Sequence, residues 1–473
     1  MINDSRLTRD FYAESLAQRG KRLLISMVGI LLLSYTISMI VMRLSPPYAI
    51  LAGGAVIAAL VLSMKFELGL LFYVLICALQ PSGEQGMRGA TMNVGFGIVP
   101  LAILGVLCLF WLVAKTFRDE PKVEKTRLSP ASLWFFIVAG ASVAATLVIW
   151  NQNVRANQFG LLVNFAEVML WVLCVAAFYV TANCTTNKKW LTAIFWLVVI
   201  LASYFSVFQM AGRMQPLAMP RGTFIVAYAA ILCVARVIFG TESRAAKTGY
   251  AFLALLFLAN TVWDPTWVSG WLAAGLGAGF VILFYSRKIF VVATIIVLFA
   301  MLVYPGFIHS IYDQSRQEGD MDRANLWTDA VRMAVASNPM LGVGPGNYRT
   351  YNREFSSIWY GNRTYTTAHS DFAQMIGEIG LFGIVMFLWL IVAGIRTGVD
   401  SAKRSASNTK WLSIGATAIF ASIAVTSLVG DYLLPSRING GIATFGTSVL
   451  PWILLGAAVA VSRRNVDEAE EAA

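Results

Sequence analysis

The chain has 473 residues, of which 58% are hydrophobic and only 13% are charged. Soluble domains carry about 25% charged residues, so the composition excludes an ordinary soluble domain and indicates an integral membrane protein. The formal net charge of +11 does not indicate a nucleic-acid partner, because the basic residues lie in short loops between apolar runs, as membrane orientation signals do.

Apolar segments recur along the whole sequence, and a membrane helix needs roughly 17–25 such residues. The segments lie near 23–42, 47–63, 66–80, 94–115, 131–150, 160–182, 190–211, 222–239, 248–262, 265–285, 289–305, 371–395, 411–429 and 445–461. Two of them, 66–80 and 248–262, are short for a span, so we predict about 12–14 transmembrane helices. Unbroken apolar runs satisfy their own backbone as helices, and the predicted fold class is therefore all-α and polytopic.

The charges of the loops predict the orientation of the chain. With the N-terminus inside, every lysine falls in an inside loop, and every basic residue of the outside loops is an arginine. This agrees with the positive-inside rule and predicts that both termini lie in the cytoplasm. The arginine bias has two explanations: outside loops avoid lysine for topology, or their guanidinium forks bind phosphate.

The longest loop, about 306–368, is predicted to lie outside, and loops of this length are usually functional. Within it, "MDRANLWTDAVRMAVASNP" predicts an amphipathic helix that Asp322 caps and that Asn338-Pro339 ends. Its apolar face is predicted from helical spacing to be Leu326, Ala330, Met333 and Ala334.

The stretch "LGVGPGNY" follows this helix, and its glycines and proline predict a tight turn. It lacks the lysine and the Ser/Thr of a nucleotide phosphate loop, and it follows a helix rather than a strand. A structural turn is the favoured interpretation. Backbone N–H groups in glycine turns also bind anions, so the substrate-binding candidates include Gly342, Gly344, Gly346 and Asn347.

Acidic residues and cysteines offer little for a metal or another cofactor. Asp320 and Asp322 have the spacing to hold Mg²⁺ or Mn²⁺, but acids are also favoured at a helix N-terminus, which is the interpretation we prefer. The five cysteines lack metal-ligand spacing and are predicted to be inert thiols. We therefore predict neither a metal site nor a cofactor.

Two glutamates, Glu167 and Glu378, lie inside apolar runs. Intramembrane acids are costly and usually functional. For Glu378, a structural hydrogen bond to a neighbouring helix is an equally good interpretation.

Two arginines and a histidine are predicted to share one depth and one face of the membrane. Arg221 begins "RGTFIVAYAA" at the outer mouth of a helix, and Arg323 lies at the start of the loop helix. His369, within "TTAHSDFAQMIGEIG", lies where the long loop enters the next membrane helix. Together they are the strongest candidate constellation in the chain.

Four stretches carry a resemblance to a known family: "RGTF", "DRANLW", "NPMLGVGPGNY" and "TAHSDFAQMIGEIGLFG". They resemble the O-antigen ligase and polymerase superfamily of bacterial envelopes over roughly residues 220–396. The resemblance implies a GT-C-like, all-helical glycosyltransferase with a long periplasmic loop and no metal. The functional arginines and histidine of that family correspond to Arg221, Arg323 and His369, which are the predicted catalytic residues; both arginines are also predicted to bind substrate.

Two departures from the family pattern concern residues near this site. Family members often have asparagine after the histidine, where this chain has Ser370. They often have Ser-Arg-Gly at the opening of the helix before the long loop, where this chain has Ser269-Gly270-Trp271. Neither departure removes the three predicted catalytic residues.

The resemblance implies transfer of a glycan from an undecaprenyl-diphosphate-linked donor to an acceptor hydroxyl on the periplasmic side of a bacterial inner membrane. The acceptor is a glycan or a lipid A–core sugar, as in lipopolysaccharide biosynthesis, and the other partner is membrane lipid. One alternative is a polymerase of O-antigen or exopolysaccharide repeat units, and another is a lipid or solute transporter.

The predicted domains follow from these observations. They are a cytoplasmic tail (1–22), N-terminal transmembrane helices (23–219), an O-antigen ligase-like core (220–396) that includes the loop 306–368, C-terminal transmembrane helices (397–462) and a second cytoplasmic tail (463–473).

Overall fold

The computed structural model of the protein describes most of the chain between residues 66 and 471. The described residues are 66–78, 103–109, 111–112, 124–148, 160–184, 188–210, 222–263, 268–303, 320–355, 368–436 and 445–471. Within them, about 87% of residues are helical and none forms a β-strand. The all-α class predicted from the sequence is confirmed.

The helices are named here in chain order. They are α1 (Phe66–Ala78), α2 (Leu128–Val148), α3 (Gly160–Cys184), α4 (Lys188–Met210), α5 (Gly222–Phe239), α6 (Arg244–Trp263), α7 (Val268–Tyr285), α8 (Arg287–Val303), α9 (Asp320–Ser337), α10 (Tyr348–Phe355), α11 (Asp371–Arg404), α12 (Lys410–Thr426) and α13 (Phe445–Glu471). Residues 103–109 and 111–112 are also helical.

The observed helices coincide with the apolar segments predicted at 66–80 and from 131–150 onward, although α11 and α13 extend beyond their predicted ends. The segments predicted at 23–42 and 47–63 lie outside the described residues. Five helices of the described part are long and apolar enough to cross a membrane: Leu128–Val148, Leu161–Asn183, Lys189–Met210, Asp371–Arg404 and Phe445–Arg463. The polytopic class is thereby supported, while the number of spans stays a prediction.

The centre of the bundle is formed by α5, α12 and α13. The apolar span of α13, Phe445–Arg463, is buried along its whole length, and α13 packs against α3, α11 and α12. Close packing is visible where Phe420 of α12 meets Trp452 of α13 edge to face, with ring centroids 5.0 Å apart. At Gly456, the backbone of α3 leaves no room for a Cβ atom. This core fixes the positions of the helix ends that carry the candidate site.

The outer helices present large apolar side chains to their surroundings. Leu133 on α2, Ile200 on α4 and Ile296 on α8 are each 60% exposed. In a soluble protein such a surface would drive association, whereas in a membrane protein it faces the lipid chains. The exposed apolar surface therefore agrees with a membrane environment.

The helix predicted in the long loop is α9. Its apolar face is confirmed, because Leu326, Ala330, Met333 and Ala334 are all buried. It ends at Ser337, immediately before the predicted Asn338-Pro339 stop. Its start differs from the prediction: the helix begins at Asp320, so Asp322 lies in the first turn rather than capping it from outside. The observed start therefore lies about half a turn before the predicted one. Both Asp320 and Asp322 then lie at the positive end of the helix dipole, which favours acidic residues.

Four of the five cysteines lie among the described residues, and their predicted inertness stays a prediction. Cys77, Cys108, Cys174 and Cys233 are free thiols, and three of them are buried.

Candidate active site

The glycine turn and α11 are joined at a break in the helix. Gly380 adopts φ 72° and ψ −161°, which interrupts α11. The backbone groups released there bond to the turn: Val343 N donates to Gly377 O (3.0 Å), Gly344 N to Glu378 O (2.8 Å), Leu381 N to Pro339 O (2.9 Å), and Phe382 N to Met340 O (3.2 Å). Buried backbone groups need such partners, so the turn completes the hydrogen bonding that the broken helix lacks.

The joint requires glycine on both sides. Gly342 and Gly380 have positive φ, and a Cβ atom on either would collide with the backbone of the other element, at Glu378 and Met340 respectively. From α2, the Ser142 hydroxyl donates to Leu341 O (2.6 Å) and lies 3.1 Å from Glu378 O. Three parts of the chain are thereby fixed to one another, and the predicted tight turn is confirmed.

The turn already uses much of its hydrogen-bonding capacity within the protein. Gly342 N donates to Asn338 O (2.7 Å), and the N–H groups of Val343 and Gly344 bond to α11. The buried side chain of Asn347 donates to Val343 O (2.9 Å). The substrate contacts predicted for Gly342, Gly344, Gly346 and Asn347 stay a prediction. The backbone N–H groups of Gly342 and Gly344 already donate to carbonyl groups of the protein.

The carboxylate of Glu378 accepts hydrogen bonds from residues of α10 and α11. Its Oε1 accepts from Tyr348 N and its Oε2 from Gln374 Nε2, each at 3.2 Å. The Tyr348 hydroxyl donates to Leu326 O on α9 (2.9 Å). Burial, and then the nearby Asp329 carboxylate, raise the pKa of Tyr348 well above its usual value, so the hydroxyl stays protonated and keeps this bond. Glu378 therefore serves as a structural link between α10 and α11.

The residues that follow α12 form hydrogen bonds to the start of α11. We call them the 427–434 segment (Ser427–Leu434). Asp371 N donates to Ser427 O (3.0 Å) and Gly430 O (3.2 Å). In return, Asp371 Oδ2 accepts from Leu433 N (2.9 Å) and Leu434 N (3.3 Å). A buried carboxylate is stable only with such donors. The first residue of α11 is thus locked to the 427–434 segment.

His369 lies two residues before α11, half-buried, with φ 49°. Among the described residues it is the one non-glycine with positive φ. This conformation is uncommon, although histidine tolerates it better than most residues, and it is concentrated at functional sites. Ser370 follows as the N-cap of α11 and accepts from Ala373 N (3.3 Å). The start of α11 is therefore well defined, and His369 lies immediately before its N-cap.

Arg323 approaches the same place from the first turn of α9. Its Nη1 donates to Val429 O at 3.0 Å, within the 427–434 segment. The side chain is half-buried. A guanidinium has several donors in a rigid plane, so one fixed bond sets the orientation of the whole group.

Arg221 lies outside the described residues, but the helix that follows it is described. Phe224, in the first turn of α5, packs on Tyr432 of the 427–434 segment with ring centroids 4.7 Å apart. The Tyr432 hydroxyl donates to Ser269 Oγ at the start of α7 (2.7 Å). The starts of α5 and α7 therefore lie against this segment, while the position of the Arg221 side chain stays a prediction.

Sequence reasoning did not identify the 427–434 segment as part of a site. It lies in the region predicted to contain only C-terminal transmembrane helices, 397–462. The available signal was "GDYLLPS", where Gly430 and Pro435 interrupt an apolar run in the manner of a turn. The segment contacts Arg323, the start of α11 just after His369, and the start of α5 just after Arg221.

Groups of three or more His, Cys, Asp or Glu side chains able to hold a metal are absent from the described residues. The side chains of Asp320 and Asp322, the sequence-based candidates for a cation, lie outside the described part of the structure.

The fold and this site define a polytopic, all-helical membrane protein with an arginine and a histidine held at one end of its bundle. Residues 268–388 match the family described as O-antigen ligase, so the resemblance seen in the sequence is confirmed over that part of the chain. In general terms the match supports a glycosyltransferase-like enzyme of the O-antigen ligase and polymerase type. No match was found among curated proteins.

Proposed function

We propose that the protein transfers a glycan from an undecaprenyl-diphosphate-linked donor to an acceptor hydroxyl, on the periplasmic side of a bacterial inner membrane. The observation that carries the proposal is the approach of Arg323 and the His369 end of α11 to one short segment. The family described as O-antigen ligase covers both of these residues within 268–388. That description favours a glycan or lipid A–core acceptor, as in a ligase.

The reaction needs little more than charge stabilisation and positioning. The acceptor oxygen bonds to the anomeric carbon while the carbon–oxygen bond to the diphosphate breaks, and the acceptor proton leaves. Negative charge grows on the departing diphosphate. Guanidinium groups held in place before the reaction stabilise that charge, and they do so better beside a lipid boundary than in water. In this proposal Arg323 and Arg221 bind the diphosphate.

His369 is proposed to act on the acceptor side. An unperturbed imidazole has a pKa of ~6.5, so it accepts a proton near neutral pH. It either takes the proton of the attacking hydroxyl or orients that hydroxyl through a hydrogen bond. The capped start of α11 and the bonds of Asp371 to the 427–434 segment hold the backbone at His369 in position.

Two further features support the proposal. The exposed apolar surface of the outer helices suits a substrate that arrives within the bilayer on a polyprenyl chain. The proposed chemistry uses only side chains and no metal, which is the pattern that the resemblance implies.

The decisive experiment is a transfer assay with the purified full-length protein in detergent, a synthetic undecaprenyl-diphosphate glycan and an acceptor glycolipid. The expected products are the elongated acceptor and free undecaprenyl diphosphate in equal amounts. Absence of both products, together with movement of lipid or solute in proteoliposomes, would replace the proposal with the transporter alternative. In cells, loss of all attached polymer upon deletion indicates a ligase, whereas loss of chain length alone indicates a polymerase.

A further inference from the structure

A polar cavity lies at the opposite end of α11 from the candidate active site. It has a volume of about 370 Å³ and opens between the residues that precede α2 and the last two turns of α11. Arg127 Nε and Asp400 Oδ2 are 2.6 Å apart and join the two helices at its wall. Asp371 and Thr397 are separated by roughly 40 Å measured along α11, at about 1.5 Å per residue and across the interruption at Gly380.

The cavity is strongly basic. Four cationic side chains line it, against one carboxylate: Lys125, Arg127, Lys403 and Arg404 against Asp400. Among the described residues, the Arg127–Asp400 contact is the one ion pair formed by this set. Lys403 and Arg404 are exposed at the end of α11. The excess of positive charge at one opening favours an anionic ligand.

A buried hydroxyl adds a donor to this wall. Thr397 lines the cavity, is only 2% exposed, and its Oγ1 is buried with no hydrogen-bond partner. Buried hydroxyl groups are almost always bonded, so an unbonded one on a residue of the cavity lining is a candidate donor to a ligand atom. The charge and the hydroxyl together match a phosphate group, which accepts both kinds of bond.

The surroundings favour a lipid over a soluble phosphate. Within about 12 Å along the helices from the cavity residues Arg127 and Thr397, α2 exposes Leu133 (60%) and Trp134 (51%), and α11 exposes Trp389 (38%) and Val392 (43%). Tryptophan is common at the membrane–water interface, next to lipid headgroups. A phospholipid whose headgroup enters the cavity would lay its acyl chains along these side chains.

We propose that this cavity binds the headgroup phosphate of an anionic phospholipid, at the membrane face opposite the candidate active site. By the charges of the loops that face is cytoplasmic, where basic pockets between membrane helices bind anionic headgroups. Lys403 and Arg404 attract the headgroup, the Thr397 hydroxyl donates to a phosphate oxygen, and Asp400 keeps Arg127 against the wall. The proposal is independent of the transfer reaction.

The test measures lipid binding to the full-length protein. Purified protein is titrated with phosphatidylglycerol or phosphatidylcholine, and the adducts are counted by native mass spectrometry. K403Q/R404Q removes two charges from the cavity, and R287Q/K288Q removes the same two from the exposed start of α8, on the same predicted face. Each basic residue near a membrane surface contributes about 1 kcal/mol, so the first variant is expected to weaken phosphatidylglycerol binding about 10–30-fold and the second to leave it nearly unchanged.

A second variant checks the cavity itself. T397V keeps the shape of the side chain and removes the hydroxyl, so a smaller loss of several-fold is expected with no change in folding. Equal affinity for the two lipids, or equal losses in both charge variants, would overturn the proposal in favour of diffuse surface attraction. Competition by millimolar inorganic phosphate without any lipid preference would show a soluble-anion site and overturn the lipid assignment.

Discussion

The guanidinium of Arg323 donates to the backbone carbonyl of Val429 over 3.0 Å, although 106 residues separate them in sequence. This bond ties the first turn of the loop helix to the segment that also holds the start of α11. A shift of the 427–434 segment would therefore move Arg323 and His369 together. The relationship makes the arginine testable as a positioned group rather than as a general surface charge.

Replacement of Arg323 is expected to reduce transfer strongly. R323A removes the charge and the bond to Val429, and R323K keeps the charge but loses the planar fork. Loss of one group that stabilises developing charge costs about 10²–10³ in rate, and we expect R323A to reach this range and R323K to lie between it and the wild type. The measurement is the rate of glycan transfer in the detergent assay.

Arg332 provides the matched control for that measurement. It lies on the same helix, its side chain is 57% exposed, and its nearest carboxylate atom, Asp329 Oδ1, is 3.8 Å away. At 3.8 Å the contact is too long for a hydrogen bond. Because the Asp329 side chain is buried, R332A is compared with wild type at equal amounts of folded protein, and nearly full activity is expected. Equal losses in R323A and R332A would show that α9 needs only net positive charge.

His369 is expected to be essential for its ring rather than for its backbone. Asparagine tolerates positive φ, so H369N preserves the local conformation while it removes the imidazole. Removal of a general base or a positioning group costs about 10²–10⁴ in rate, and H369N and H369A should both lose transfer while the protein is expressed and folds normally. Near-normal transfer by H369N would remove the imidazole from the mechanism and leave only a structural need for this conformation.

Much of the fold followed from sequence because the relevant signals are local. The bounds of α5, the apolar face of α9 and the turn at 338–347 each depend on neighbouring residues, through hydropathy, helical spacing and glycine content. The candidate residues Arg323 and His369 were first singled out by their predicted positions at one membrane face, and the resemblance then implied their catalytic roles. None of these predictions required information about tertiary contacts.

The missed features depend on distant partners. Within 371–395 the sequence indicated one continuous helix, because a glycine inside a long apolar run is tolerated. Gly380 breaks α11 only because the turn at 338–347 supplies the missing hydrogen bonds. In the same way, the 427–434 segment gains its role from Arg323 and Asp371, which lie far away in sequence.

The joint between Gly380 and the glycine turn is expected to be intolerant of a methyl group. G380A places a Cβ in the left-handed region and against the backbone of Met340, and we expect a loss of at least about 2 kcal/mol of stability. The measurement is the apparent melting temperature in detergent, together with transfer activity. At Gly275 on α7, nothing lies within 4 Å of an added Cβ, so G275A should be neutral or slightly stabilising. A G380A protein as stable as G275A would show that the broken helix is not needed.

Glu378 is expected to act through structure and not through proton transfer. In E378Q the amide oxygen still accepts from Tyr348 N, and Gln374 can turn its amide to meet the new donor, so we expect transfer within about tenfold of wild type. E378A leaves a buried N–H without a partner, which costs about 1–3 kcal/mol, and should lower the melting temperature. If E378Q folds normally and loses as much activity as H369N, Glu378 belongs to the chemistry.

Transfer is expected to continue in the presence of EDTA, because the proposed mechanism stabilises the diphosphate with guanidinium groups alone. The assay compares rates with excess EDTA, with added Mg²⁺ and with neither, in protein that has been dialysed against chelator. A fall in rate that Mg²⁺ restores would favour the other interpretation of Asp320 and Asp322, as a pair that holds a cation against the diphosphate. In that case D320N/D322N should abolish the response to Mg²⁺, whereas under the proposed mechanism the double variant should behave like wild type in all three conditions.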